Sequence, residues 1–355
     1  MNKNKAKKWF FGFLGGIIIV AMVWAAIIVV VDPYFHYHKP LPFLSYRLYE
    51  ERYINDGIGR QFDYDAIITG TSMTQNFKTS EFDELFGVKS VKMPFSGGGF
   101  QEISGNLDRS LDRNPDCKTV LYGIDYYGLI RDYDWDQYGG EPTYLYDNNI
   151  LNDSSYLFNK DIMLTGAVTN ILWTLQGRDS TTFDEYASWG CDTGLQAIYD
   201  SGFERPKEIS PMVMDIPADD YARIIGTIEK VLTPVVEEHP DVTFYLFFTP
   251  YSIVSFDELY RDGRMEEQFK AEEMVAKALL QYDNVRLYEF FEDHDTINDL
   301  ENYRDKEHYD ADINSLILQY ISRDEYRLTM DNLDEHMQYM REYYLNYDYD
   351  SIYAQ

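Results

Sequence analysis

Short hydrophobic runs recur along the chain, each separated from the next by a stretch of mixed polarity. They are six or seven residues long, mostly β-branched or aromatic, and lie at 65–70, 88–93, 119–125, 242–248 and 284–290. Continuous apolar runs of this length are typical of strands buried in a parallel sheet. Apolar residues at helical spacing predict helices at 79–86, 217–238, 256–281 and 311–322. Strands that alternate with helices predict a three-layer α/β/α domain built on a parallel five-stranded sheet.

A longer apolar run precedes these elements, at 9–31, and it contains no charged residue. As a helix rising about 1.5 Å per residue it extends roughly 34 Å, slightly more than the ~30 Å hydrocarbon core of a bilayer. A cleaved signal peptide is the alternative, but its apolar region is roughly 7–15 residues long, whereas this run stays apolar to Asp32. We therefore predict an uncleaved, single-pass transmembrane anchor. The lysine-rich segment 1–8 predicts a cytoplasmic N-terminus and an extracytoplasmic remainder.

Beyond the anchor the pattern divides the chain into further parts. Residues 32–59 are rich in aromatic residues and proline, which suits a juxtamembrane collar. The α/β domain covers 60–325, and residues 326–355 form a helical C-terminal extension rich in tyrosine and acidic residues. Residues 131–215 interrupt the alternation, and we interpret them as an insertion between the third and fourth strands. By its position this insertion is expected to cover the C-terminal edge of the sheet, where sites of open α/β folds lie.

Charge and composition narrow the range of functions. The formal net charge is −30, and a surface this acidic repels nucleic acid and other polyanions. We attribute the charge to solubility rather than to specific cation binding. Because 45% of the residues are hydrophobic and 16% are aromatic, the chain has ample material for a folded core and is not disordered.

Two cysteines leave two interpretations open. Outside the cytoplasm Cys117 and Cys191 can form a disulfide. Cys117 also begins a predicted buried strand, where a free cysteine acts as a small core residue. The sequence contains no CxxC pair and no spacing of zinc ligands, so we predict neither a metal nor a cofactor.

The first candidate chemical group follows the first predicted strand. Ser72 stands two residues after Gly70, where glycine allows the chain to turn sharply. A helix cap is the simpler explanation of this serine. The alternative is a nucleophile at the end of a parallel strand, next to a helix start whose free N–H groups suit an oxyanion. After the second strand, the glycine run 97–99 allows a backbone N–H to approach a substrate closely.

The second candidate group precedes the last helix of the α/β domain. Asp305 and His308 are three residues apart, so that in a tight turn the carboxylate can hold the far nitrogen of the imidazole. The near nitrogen then faces a nucleophile. His294 is a rival base flanked by acidic residues, but it follows the fifth strand and we rank it below His308.

Together these pieces resemble the blocks of the SGNH/GDSL hydrolase superfamily. In that superfamily a Ser follows the first strand, a Gly the second and a Gly-x-Asn the third, and an Asp-x-x-His precedes the last helix. The resemblance covers roughly 60–325 and is closer still to the membrane-anchored DltD-like and AlgJ-like members, which act on cell-envelope polymers. It implies an SGNH, flavodoxin-like fold with Ser72 as nucleophile, His308 as base and Asp305 as the residue that orients it. It also implies that Ser72, together with Gly98 or a neighbour in the same glycine run, supplies backbone donors to the oxyanion hole.

Two positions depart from the pattern of the family. Thr71 stands where the family usually has an Asp before the serine, a position without a chemical role. Asp125, in "GIDYYG", stands where the family has the asparagine of its oxyanion hole, and an ionised carboxylate cannot donate to an oxyanion. Asp125 is therefore protonated, or it turns away to accept hydrogen bonds from backbone or side-chain donors, or the protein does not turn over esters. We favour the second of these alternatives.

The resemblance implies a membrane-anchored, extracytoplasmic serine esterase or O-acyltransferase. It would act on a cell-envelope glycan or polymer through an acyl-Ser72 intermediate, without a cofactor, and with a membrane O-acyltransferase as a partner. One alternative is a catalytically degenerate relative that binds an envelope glycan or a membrane partner without turnover. Another is a structural protein of membrane biogenesis. The distances among Ser72, His308 and Asp305 discriminate between an enzyme and the other two.

Overall fold

The computed structural model describes residues 3–354 and is an α/β protein, as predicted. Within these residues the strands form one mixed six-stranded sheet, in the order β2-β1-β3-β4-β5-β6. The strands are β1 Ala66–Gly70, β2 Ser90–Pro94, β3 Thr119–Ile124, β4 Thr243–Phe248, β5 Val285–Tyr288 and β6 Arg327–Leu328. Strands β1 to β5 are parallel, and each begins and ends within two residues of its predicted position.

The sixth strand corrects the prediction of a purely parallel five-stranded sheet. Strand β6 pairs with β5 in the antiparallel sense, through Leu287 with Leu328 and Tyr288 with Arg327. It lies in the C-terminal extension that the sequence predicted as helical. Two residues are too few to show either an apolar run or a polar alternation, so the pattern contains no signal for this strand.

Helices occupy most of the remaining regular structure. In chain order over the described residues they are α1 Lys3–Val31, α2 Glu51–Gln61, α3 Thr79–Phe86, α4 Phe100–Arg113, α5 Ser154–Leu157, α6 Thr169–Leu175, α7 Leu195–Asp200, α8 Ala218–Thr227, α9 Thr233–Glu238, α10 Ile253–Arg261, α11 Met265–Leu279, α12 His294–Ile297, α13 Ala311–Ser322 and α14 Leu333–Leu345. The predicted helix at 256–281 is two helices, α10 and α11. Gly263 separates them, because it adopts a φ of +70° that ends a right-handed helix.

The chain forms two compact units. The first comprises the residues up to Asp63 together with Glu141–Thr182, and the second comprises Tyr64–Gly140 and the residues from Phe183 onward. The whole sheet belongs to the second unit. The segment predicted as one insertion, 131–215, contributes to both units.

Helix α1 dominates the first unit. Residues Asn4–Val31 are long and apolar enough to cross a membrane, and their most apolar stretch of 18 residues has a mean hydropathy of 2.9. The helix ends at Val31, and the next residue, Asp32, is fully buried and accepts hydrogen bonds from the backbone N–H groups of residues 36, 37 and 38. The Tyr156 hydroxyl donates a further hydrogen bond of 2.8 Å to the same carboxylate. These bonds turn the chain sharply after the apolar helix.

Burial explains the hydrophobic runs of the second unit. Every residue of β1 and β2 is buried, so neither strand shows the polar alternation of a half-exposed strand. Lys92 is the only charged residue of these two strands, and it is fully buried within β2. Its ammonium group donates hydrogen bonds to the carbonyl oxygens of Gln75 and Phe77, and thereby fixes the segment that follows β1.

The register of the central strands places their C-terminal ends side by side. Gly70 is opposite Pro94 on β2 and opposite Gly123 on β3. Gly70 has a φ of +146°, and a Cβ atom there would lie 2.6 Å from Cγ2 of Thr74 and 2.9 Å from the carbonyl oxygen of Gly123. Only glycine therefore permits the turn that leads out of β1.

We predict that Gly70→Ala lowers the free energy of unfolding by about 3 kcal/mol, because the strained φ and the two close contacts add to one another. Gly87→Ala is the matched control. Gly87 also has a positive φ, +68°, but its Cβ would meet open space, so strain alone should cost about 1 kcal/mol. Chemical denaturation of the detergent-solubilised full chain measures both values. Equal losses would show that the space next to Gly70 is not restrictive.

Candidate active site

Ser72 lies in a short 3-10 turn, Ser72–Thr74, directly after β1. The cap of this turn is Thr71, whose hydroxyl accepts a hydrogen bond of 3.4 Å from the amide of Met73. The Thr74 hydroxyl bonds back to the Thr71 carbonyl at 2.9 Å. The Ser72 hydroxyl is thus not needed as a cap and points to a partner elsewhere in the chain.

That partner is His308, and Asp305 follows it. The Oγ atom of Ser72 lies 2.7 Å from Nε2 of His308. Nδ1 of His308 lies 2.9 Å from Oδ2 and 3.0 Å from Oδ1 of Asp305. The side chains of His308 and Asp305 remain 26% and 19% exposed, so the group is open to solvent on one side. The structure therefore brings the three predicted residues into one hydrogen-bonded line.

The spacing of Asp305 and His308 is explained by the local loop. Oδ1 of Asp305 accepts hydrogen bonds from the backbone amides of Glu307, at 2.9 Å, and of His308, at 2.7 Å. The amide of Arg304 donates to the carbonyl oxygen of His308 at 3.0 Å and closes the loop. The carboxylate is held by the chain segment that carries the imidazole, which fixes its orientation toward Nδ1.

Electrostatic interactions favour a charged pair, the Asp305 carboxylate beside a His308 imidazolium, at pH values between the pKa of Asp305 and that of His308. Burial by itself raises the pKa of Asp305, but the hydrogen bonds and charge of His308 outweigh it and hold the pKa below its usual value. Burial likewise lowers the pKa of His308, but the hydrogen bond and charge of Asp305, helped by Glu307, raise it above the ordinary value. In the neutral form, Nδ1–H donates to Asp305 and the Nε2 lone pair faces the Ser72 hydroxyl.

Two buried side chains join the serine turn to the last helix of the α/β domain, and sequence reasoning missed both. The amide of Asn314, on α13, donates to the carbonyl oxygen of Met73 at 3.0 Å. The hydroxyl of Tyr309 donates to the same oxygen at 3.2 Å. Both donors lie more than 230 positions from Met73 in sequence, so no local spacing could reveal the contact. They fix the residue after Ser72 against the segment that carries His308.

An aromatic side chain borders the site. The ring of Trp189 meets the His308 ring edge-on, with 5.9 Å between centroids, and its indole N–H donates to Oε1 of Gln75 at 2.8 Å. The guanidinium group of Arg304 lies over the indole ring at 5.0 Å. The later part of the predicted insertion therefore reaches the edge of the sheet that carries the site. The sequence offered only an isolated tryptophan within "TTFDEYASWGCDTG" as a signal.

The backbone N–H groups available to an oxyanion differ from the expected pair at one position. The amide of Gly98 donates to the carbonyl oxygen of Phe95 at 2.8 Å and is therefore engaged. The amides of Ser72 and Gly99 donate to no acceptor among residues 3–354. A Cβ atom on Gly99 would lie 2.1 Å from the carbonyl oxygen of Trp135, so this position must be glycine. Gly99 replaces Gly98 as the second candidate donor beside Ser72.

Asp125 accepts hydrogen bonds at its Oδ1 atom. The donors are the hydroxyl of Tyr251 and, at 3.3 Å, the backbone amide of Gly128. Burial, and then the charge of Asp125, raise the pKa of Tyr251 well above its usual value, so the phenol stays protonated as a donor. Asp125 also lines a small cleft of about 20 Å³ together with Thr71 and Gly99. The carboxylate is thus bonded as the favoured alternative predicted, while it borders the same cleft as Gly99.

The rival histidine is engaged in another contact. Nε2 of His294 lies 2.6 Å from the hydroxyl of Tyr339, and its ring stacks on Tyr343 with 3.7 Å between centroids. Burial lowers the pKa of His294. The two cysteines are free in the structure, Cys117 buried and Cys191 exposed, so the disulfide alternative does not form here.

Comparison with known protein families, curated proteins and solved structures finds no match for this chain. The interpretation of the site consequently depends on the geometry of its own residues. That geometry consists of a partly buried serine, an imidazole at hydrogen-bond distance and a carboxylate that orients the imidazole, and it suits nucleophilic catalysis by Ser72.

We predict that Asp305→Asn lowers the pKa of His308, because burial then opposes protonation without a bonded carboxylate. Histidine NMR of the detergent-solubilised full chain measures this value, with His308→Gln to assign the signal. Asp310→Asn is the control, because Asp310 caps α13 through the amides of Asp312 and Ile313. An unchanged pKa in Asp305→Asn, or an equal change in the control, would contradict the predicted role of Asp305.

Proposed function

We propose that this chain is a membrane-anchored, extracytoplasmic serine esterase or O-acyltransferase that acts on a cell-envelope glycan or polymer. The observation that carries the proposal is the hydrogen-bonded line from Ser72 Oγ through the His308 imidazole to the Asp305 carboxylate, with heavy-atom distances of 2.7 and 2.9 Å. The order of the parallel strands, 2-1-3-4-5, is that of flavodoxin-like folds and supports the motif resemblance to SGNH hydrolases.

The proposed acyl transfer proceeds in two steps, formation of an acyl ester on Ser72 and its removal. In the first, Ser72 Oγ attacks the carbonyl carbon of an ester while its proton moves to Nε2 of His308. The tetrahedral intermediate then expels the alcohol, which takes the proton from His308 and leaves an acyl ester on Ser72. In the second step, a hydroxyl group of the acceptor, or water, loses its proton to His308 and attacks the acyl carbon, and the proton returns to Ser72. Asp305 stabilises the imidazolium at each stage.

Negative charge on the carbonyl oxygen needs donors near Ser72. The free amides of Ser72 and Gly99 are the proposed pair. Loss of one such donor typically costs about 100- to 1,000-fold in rate. Asp125 supplies no proton to this oxygen while it is ionised, and this is the one feature that favours the non-catalytic alternative.

The surroundings of the site support a carbohydrate acceptor. The indole of Trp189 borders His308, and flat aromatic faces with a polar edge suit contact with the apolar face of a sugar ring. The apolar run 9–31 of helix α1 and the lysine-rich sequence 1–8 support a membrane anchor with a cytoplasmic N-terminus. A membrane O-acyltransferase that delivers the acyl group is the proposed partner.

We predict that a fluorophosphonate probe labels the detergent-solubilised full chain at Ser72 and that Ser72→Ala abolishes the labelling. Labelling should increase as the pH rises through the raised pKa of His308, because only the neutral imidazole accepts the serine proton. His308→Gln should slow it by about 100-fold or more, the usual contribution of a general base. Labelling is followed by gel fluorescence and by mass spectrometry of the modified peptide.

A matched control is Ser80→Ala. Ser80 is an exposed serine whose hydroxyl bonds to Oδ2 of Asp184 at 2.6 Å, and its loss should leave labelling unchanged. A folded wild-type chain that never reacts would favour the non-catalytic alternative. Labelling that persists in Ser72→Ala would place the nucleophile at another residue.

We predict that Asp125→Asn preserves folding and raises the rate of acyl transfer by about tenfold or more. The amide oxygen of asparagine can still accept the two bonds that now end on Oδ1, from Tyr251 and Gly128. The new amide N–H adds a donor where a carboxylate had opposed the oxyanion. Turnover of an aryl acetate by the full chain measures the change. A loss of activity at unchanged stability would show that the charge of Asp125 serves the reaction.

A further inference from the structure

A second group of ionisable side chains lies in the α/β unit and shares no residue with the candidate active site. Glu272 comes from α11, Glu289 directly follows β5, and His336 comes from α14 in the C-terminal extension. The three side chains are buried, with relative exposures of 0%, 1% and 7%. One carboxylate oxygen of each glutamate and one ring nitrogen of His336 all lie within 4.8 Å of one another.

The polar atoms of this cluster are incompletely satisfied. Neither carboxylate oxygen of Glu272 accepts a hydrogen bond of normal geometry from the described residues, although the Tyr126 hydroxyl faces it. Oε2 of Glu289 and Nε2 of His336 also lack an aligned partner, even though these two atoms are only 2.6 Å apart. Buried polar atoms without partners cost about 1–3 kcal/mol each, more when charged. The carboxylate of Glu272, which has no aligned partner and lies next to Glu289 and His336, therefore indicates a missing ligand.

The charges of the cluster favour a cation as that ligand. Three carboxylates surround one imidazole, because Glu292 also contacts His336. The guanidinium group of Arg341 is hydrogen-bonded to Glu266 and Glu273, at 3.1 and 3.0 Å. A buried cation would compensate the crowded negative charges.

We propose that Glu272, Glu289 and His336 bind a divalent first-row transition metal, with Zn²⁺ as its representative. Two carboxylates and an imidazole form a donor set that suits Zn²⁺, whereas Mg²⁺ and Ca²⁺ prefer oxygen ligands alone. Nδ1 of His336 lies 2.6 Å from Oε1 of Glu292. That contact leaves Nε2 directed into the cluster, and a carboxylate behind a histidine ligand is the usual outer-sphere support of a metal site.

The surroundings of the cluster agree with a metal site in two respects, a neighbouring cleft and the origin of the ligands in three different elements. An open cleft of about 480 Å³, lined in part by Glu289, Glu292 and His336, borders the cluster. The three ligands come from α11, from the end of β5 and from α14. A bound metal would fix the C-terminal extension to the sheet, and this role does not depend on the chemistry of Ser72.

The test uses the detergent-solubilised full chain, treated with a chelator and exchanged into metal-free buffer at neutral pH. Zn²⁺ is titrated by calorimetry with a competing chelator, and thermal unfolding is recorded with and without Zn²⁺. We expect one tight site per chain and a rise in the unfolding temperature. Glu272→Gln and His336→Gln should each weaken binding by about 100-fold or more. Mg²⁺ and Ca²⁺ should not compete at concentrations that saturate the site with Zn²⁺.

Two controls distinguish metal binding at this cluster from binding at another cluster and from a loss of folding. His239→Gln removes the histidine of the other His–Asp group, formed with Asp108 and Asp112, and should leave the tight site intact. Glu272→Gln is isosteric and removes a crowded charge, so without metal it should unfold at or above the wild-type temperature. The proposal is overturned if the wild type binds no Zn²⁺ tightly, if Glu272→Gln and His336→Gln bind it as the wild type does, or if only His239→Gln loses it. Those outcomes would leave His336 as an imidazolium between Glu289 and Glu292.

Discussion

The conformation of Gly70 is the constraint on which the candidate site depends. Because Gly70 turns with a positive φ beside Gly123, the chain leaves β1 at once and enters the 3-10 turn that carries Ser72. The Met73 carbonyl of that turn then receives hydrogen bonds from the segment around His308, so the serine and the histidine are positioned by the same local geometry. The catalytic proposal therefore rests on a backbone feature as much as on the reacting side chains.

Much of the fold was predictable because the buried strands are uninterrupted. The five parallel strands read as mostly apolar runs, because strands covered along their whole length lack a regular polar alternation, and only isolated polar residues such as Lys92 interrupt them. The break between α10 and α11 was missed because Gly263 is a single glycine within an otherwise regular helical pattern. Strand β6 was missed because its pairing with β5 is a tertiary contact between two residues on each side.

The candidate site was predictable where its residues are neighbours in the sequence or directly follow a predicted strand. Asp305 and His308 share one short loop, and Ser72 follows a strand end, so position and spacing were sufficient. The bond between Asp125 and Tyr251 joins residues 126 positions apart, and no spacing rule contains it. The proposed metal ligands Glu272, Glu289 and His336 are 17 and 47 positions apart in the sequence, too far for a short ligand motif, which is why the search for such motifs predicted no metal. Contacts of this kind exist only once the sheet and its helices have assembled.

Strand β6 has a consequence for association between copies of the chain. A long free edge strand exposes a row of unpaired N–H and C=O groups, which can recruit the edge of a neighbouring molecule. Here the sheet ends on the β6 side with two residues, Arg327 and Leu328, running against the direction of the other strands. An edge this short offers too few backbone groups to nucleate pairing between copies. The C-terminal extension thereby protects this edge of the sheet from sheet-to-sheet association.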